Sequence, residues 1–240
     1  MNEDGRGSAD KITYHYKFIF KNGVEREFTI DLDSVTLNLI QTGNKTGPEW
    51  TKLKCFKCPN CILNERQYEY CPIALNMIDI IDYFGNYTSY EPVEVIVTAP
   101  ERKYMNTVSL QHGVSSLIGI YMVTSGCPIL EKLKPMVRFH LPFATIEETK
   151  YRAISMYLMA QYCIYQRGNQ PDWDLTKLAQ TYENVRVVNE NFCKRLRTIE
   201  HKDANLNALI VLDIFADSVN FSIDRRMADD LDYLFKGYLK

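Results

Sequence analysis

Residues 11–31 read KITYHYKFIFKNGVEREFTID, and this stretch decides the fold class. Lys11–Phe20 and Glu25–Asp31 are rich in β-branched and aromatic residues in rough alternation, the pattern of a strand with one buried face. Between them lies Lys21-Asn22-Gly23, and Asn-Gly is the strongest short-range hairpin signal because both residues tolerate positive φ. A third strand is predicted at Pro92–Thr98, stopped by Ala99-Pro100, with a return over Arg102–Met105. Gly43, Gly47 and Pro48 mark residues 42–54 as loop.

Past about residue 107 the period becomes helical. A helix is predicted over Val108–Ser125, ending at Gly126. Thr145-x-x-Glu148 is a capping box opening a second helix that runs to Arg167, with Gly168 as its stop. A third spans Trp173 to about Glu200, Asp203 caps a fourth reaching about Phe221, and a short one covers Arg226–Leu239. The helix from Ile146 is apolar nearly all round, which predicts that it is the central one. Strands first and helices after predict an α+β fold: a small antiparallel sheet with a Cys-rich metal knuckle, then a mostly helical C-terminal bundle. With no Gly/Ser/Pro linker near residue 107, residues 11–240 are read as one domain (11–106 sheet and cysteine cluster, 107–240 helical part). Residues 1–10 are read as a disordered lead-in.

The 240 residues are 46% hydrophobic and 24% charged, ordinary globular proportions. Lys plus Arg number 28 against 30 Asp plus Glu, a net charge of −2, so no nucleic-acid partner is expected. Val108–Val123 and Ile154–Ile164 are interrupted by Gln111, His112 and Gln161 and fall short of the ~18 apolar residues of a membrane span. They are read as buried helices, and no membrane association is expected. No secretory h-region is visible, which with the cysteine usage points to a cytoplasmic setting. The Asn-x-Ser/Thr sequons at Asn44, Asn86 and Asn220 are therefore read as chance.

Chemistry concentrates in the seven cysteines, four of which crowd into Lys54–Pro72, KCFKCPNCILNERQYEYCP. The odd count and the crowding argue against a disulfide framework and for metal or redox chemistry. Two residues between thiolates let both sulfurs reach one ion, and zinc takes four ligands at ~2.3 Å in a tetrahedron. Cys55, Cys58, Cys61 and Cys71 supply such a set. An iron–sulfur cluster is the alternative, although the nine residues before Cys71 depart from the ferredoxin run, which has three. Cys71 precedes Pro72 and Cys127 precedes Pro128, so each is placed at a helix N-cap, where N–H groups lower a thiol pKa. Cys127 is thus a fifth cysteine near the cluster, a lone reactive thiol, or a small buried residue in a tight turn. Cys163 and Cys193, in helix middles, are read as core.

His112 and His140 are the weak candidates for a Cys127/His-based enzyme, since a thiol nucleophile needs a base. His15 and His201 are read as incidental. Lys132, Lys134, Arg138 and His140 could hold an anion but read first as a solvated basic face. Asp229-Asp230-x-Asp232 lacks the glycine and the closing glutamate of a calcium loop. No complete catalytic motif is present, so the reading leans to a non-catalytic protein with a structural four-cysteine zinc site and an unknown protein partner. Oligomeric state is left open.

Three segments together resemble an uncharacterised bacterial domain-of-unknown-function family: the Cys58–Cys61 knuckle leading to Tyr70-Cys71-Pro72, the Ser125–Pro128 turn, and Lys134-Pro135-Met136 running into Phe139-His140-Leu141-Pro142-Phe143. The resemblance covers nearly the whole chain past residue 10. It implies a bacterial cytoplasmic origin and brings no activity or substrate.

Overall fold

The computed structural model describes residues 11–41, 46–199, 203–224 and 233–239. The expectations about residues 1–10, Asn44, His201, the Asp229–Asp232 run and the first half of the helix over 226–239 lie outside them.

The hairpin forms as its sequence dictates. Strand β1 (Lys11–Phe20) pairs antiparallel with β2 (Glu25–Asp33), Lys11 opposite Asp33, around Gly23 at φ +82°. Strand β3 (Pro92–Thr98) pairs antiparallel with the other edge of β1, and β4 (Lys103–Ser109) pairs with β3, giving the order β2-β1-β3-β4. The period-two pattern puts Tyr14, Tyr16, Phe18, Ile30, Leu32, Val95 and Val97 on one buried face. Across the opposite face Lys11 and Lys17 pair with Asp31 and Glu25.

Helices cover the buried face. Two short ones, α1 (Pro72–Asn76) and α2 (Ile78–Phe84), precede β3, and Phe84 of α2 packs on Phe18 and Phe28. Helix α3 (Leu110–Thr124) starts where β4 ends, two residues later than predicted, because the edge strand extends to Ser109. Then come α4 (Lys134–Arg138), α5 (Ile146–Gln166), α6 (Thr176–Leu196) and α7 (Ala204–Asp224). The capping box at Thr145 is present: its hydroxyl accepts from the Glu148 N–H while the Glu148 carboxylate accepts from the Thr145 N–H. Helix α6 begins at 176 rather than 173 because Leu175 takes a left-handed backbone conformation, φ 60°.

Helix α5 is not central. Of its residues only Ala153 and Gln161 are buried, while Tyr151, Leu158, Met159, Tyr162 and Tyr165 face outward. Cys163 is exposed with them, contrary to the core reading. The inner helices are α3, packed on the sheet, and α6, whose buried stripe runs Leu178, Tyr182, Val185, Val188, Phe192 and Leu196. Helix α7 packs on both. Its stretch Ala204–Ile223, mean hydropathy 1.5, is long and apolar enough by length and composition to cross a membrane, a property the sequence reading sought in residues 108–123 and 154–164 instead.

Candidate metal centre

The segment carrying the cysteine run has little apolar material and is held by backbone hydrogen bonds. Leu53 N–H donates to Glu69 O (2.9 Å) and Cys71 N–H to Thr51 O (2.8 Å), closing residues 51–71 into a loop. Inside it, Cys61 N–H donates to Cys58 O (2.9 Å), the tight turn that two-residue spacing requires. Asn60, between those cysteines, anchors the turn on α6 by donating to the Asn184 carbonyl at 3.0 Å.

Cys71 is the N-cap residue of α1 with Pro72 at the first helical position, as its sequence predicts. The N–H groups of Ile73 and Ala74 lie toward its sulfur and favour the thiolate, although no cap hydrogen bond is formed. Cys127 sits in the turn after α3, behind Gly126 at φ +90°, and the N–H groups of Leu130 and Ile129 likewise lie toward its sulfur. Cys127 belongs to the hydrophobic core, and Cys58 and Cys71 pack against that core. Burial, first of all, pushes the Cys58 thiol up to about 12; the neighbouring Cys71, Cys127 and Cys61, near enough for their charges to be felt, push it the same way. Burial pushes Cys127 up to about 11, outweighing its two N–H donors. This is opposite in sign to the depression expected of a reactive helix-cap thiol.

Cys55 is turned elsewhere. Its thiol donates to the Glu49 carbonyl at 3.1 Å and lies 3.8 Å from the Glu49 carboxylate, among exposed groups. Cys58 thus feels the charges of Cys61, Cys71 and Cys127, which come from both sides of the β3–β4 hairpin. As they stand, no three His, Cys, Asp or Glu side chains among the described residues form a group that could hold a metal ion. The four are neighbours whose sulfurs are directed partly at backbone N–H groups.

The sequence reading missed Arg195. It is 1% exposed, and its guanidinium donates to three carbonyls of the cysteine loop: Trp50 O, Lys52 O at 2.8 Å and Phe56 O at 2.9 Å. Its charge is felt at both Cys58 and Cys71. Among the described residues no carboxylate forms an ion pair with it. A signal was available: Arg195 falls on the i, i+3, i+4 stripe that buries Val188, Phe192 and Leu196, where a charge needs a reason.

The two histidines stand apart from the thiols. His140 Nε2 shares a hydrogen bond of 2.5 Å with the Tyr16 hydroxyl, and its ring meets Tyr14 edge-on. Burial, helped by the nearby Arg152, holds its pKa down to about 3, so it is neutral. His112 is exposed at the start of α3. In the basic stretch, Lys134 donates to Asn38 (2.7 Å) and Arg138 lies 3.9 Å from Glu101, so both cations have protein partners.

A family model described as "Domain of unknown function (DUF6901)" matches residues 12–236, and the chain belongs to that family. No curated protein matches this chain, and no solved structure does.

Proposed function

For this member of the family we propose a metal-binding role, in which Cys58, Cys61, Cys71 and Cys127 hold one zinc ion that serves structure rather than catalysis. What supports it is that the charges of Cys61, Cys71 and Cys127 are all felt at Cys58, beside a buried arginine that has no carboxylate partner among the described residues. A buried cation is costly unless a charge of opposite sign is near. Four thiolates around one divalent ion leave net negative charge on the cluster, which Arg195 offsets. Side-chain rotation turns the sulfurs from their N–H donors toward the ion, and those N–H groups stay close enough to support the thiolates. The thiols lose their protons to the metal on binding.

A non-catalytic role is supported by the direction of the thiol shifts and by the engagement of His140 with Tyr16, which leaves Cys127 without an evident base. We further propose that the protein works in the bacterial cytoplasm through a protein partner, as its cysteine usage and charge balance suggest. The test is elemental analysis with a visible spectrum, on protein purified anaerobically without added metal. About one zinc per chain and no colour is the expected result. Iron with broad visible absorbance would replace zinc with an iron–sulfur cluster on the same cysteines. No metal, with every thiol titrating freely, would end the proposal.

A further inference from the structure

A second feature is a cavity of about 660 Å³, partly open to solvent and lined by residues of α3, α4, α5, α6 and α7. Its volume falls within the roughly 300–1,000 Å³ of small-molecule sites. The wall is built of aliphatic and aromatic side chains, among them Ile120, Leu133, Val185, Leu212 and Phe215. Two of the polar groups that reach it have hydrogen-bond donors to spare. Tyr182 is 4% exposed and lines the cavity, yet its hydroxyl has no hydrogen-bond partner among the described residues. Its hydroxyl is not among the buried atoms left without a partner, so it is open to the cavity and free to donate to a ligand there.

The other is Arg152, partly buried and lining the same space. One of its nitrogens, Nη2, donates to Met136 O at 3.0 Å and Phe139 O at 2.6 Å, which fixes the guanidinium at the wall. The remaining donors have no protein acceptor among the described residues. Glu148 is near enough to be felt but forms no ion pair with it. The Arg152 charge is also felt at Tyr182, so phenol and guanidinium sit together.

We propose that this cavity binds a long-chain monocarboxylate, its chain among the aliphatic side chains and its carboxylate between the Tyr182 hydroxyl and the Arg152 guanidinium. A carboxylate accepts from both donors, and charge-assisted hydrogen bonds of this kind are the strong ones. An uncharged chain of equal length fills the same walls but leaves the arginine unanswered. The site is independent of the metal proposal and stands or falls separately.

The experiment is displacement of a fluorescent polyene fatty acid from the full chain by dodecanoate and by dodecan-1-ol. One molecule of dodecanoate per chain is expected, with the alcohol at least about tenfold weaker. Tyr182→Phe keeps the ring and removes only the hydroxyl; it should weaken dodecanoate about tenfold. Arg152→Gln should weaken it by more, and neither substitution should change the affinity for the alcohol. If Arg152→Gln does not fold, because Met136 O and Phe139 O lose their donor, Tyr182→Phe still decides the matter. No binding of dodecanoate, equal binding of acid and alcohol, or an unchanged affinity in Tyr182→Phe would overturn the proposal.

Discussion

Gly113 marks where α3 comes closest to the sheet. A Cβ placed there would stand 2.8 Å from Val95 Cγ2 and 3.1 Å from Phe18 Cε1, both on strands paired in the middle of the sheet. Neither neighbour can swing away, because each is fully buried. Gly113→Ala should therefore destabilise the protein by about 1–3 kcal/mol despite its better helix propensity, as urea denaturation would measure. An unchanged midpoint would mean that the helix is not seated so tightly. His140 sets a second expectation at this scale. Its pKa lies at about 3 in the native state against an ordinary 6.5, so between those values the unfolded chain binds a proton that the native chain does not. Stability then rises as pH climbs from about 3 to 6.5 and is flat above that window with respect to this group. Carboxylates held low by hydrogen bonds, such as Asp203 and Glu148, push the same way at the acid end. The His140 share is isolated by His140→Gln, whose melting temperature should fall less steeply between pH 6.5 and 4.5 than that of the parent. Parallel profiles would show that the imidazole is not held neutral.

Among the elements, α5 and α6 exchange the roles expected of them. Both are 21 residues long, but α5 presents Leu158, Met159 and Tyr162 outward, whereas α6 buries a stripe through Val185, Val188 and Phe192. Met159→Lys should leave stability within about 0.5 kcal/mol. Val188→Lys places an unpaired charge in the interior and should cost more than about 4 kcal/mol, enough to abolish cooperative unfolding. Equal sensitivity at the two positions would contradict the packing described here. The reason for the exchange is physical. A run rich in Met, Tyr and Leu reads as core only if something covers it, and that information is not local. The elements that were legible are those whose signals are local: the Asn-Gly hairpin and the capping box at Thr145. Helix α2 went unread because its seven residues are too few to display a period.

At the scale of the molecule the cysteine site depends on what the fold brings together. The Cys58–Cys61 turn is written in its spacing, and so is the Cys71-Pro72 helix start. The approach of Cys127 is not, because 55 residues, including β3, β4 and α3, intervene between it and Cys71 and only their packing closes the distance. A metal held by these four would tie the loop before β3 to the turn after α3, and so couple the sheet to the helices rather than brace a local knuckle. Occupancy at a hundredfold excess over Kd is worth about 2.7 kcal/mol. For a chain of this size that corresponds to roughly 5–10 °C in melting temperature. Removing the ion with a strong chelator should lower the melting temperature by that amount, and added zinc should restore it. Cys127→Ser should remove both the metal and the response to chelator. Cys55→Ser, whose thiol faces Glu49 instead, should keep both. The reverse pattern would return the ligand set to the contiguous Cys55, Cys58, Cys61 and Cys71 and leave Cys127 a packing residue. A melting temperature indifferent to chelator in the parent chain would remove the structural role altogether, and Arg195 would then need another reason to be buried where it is.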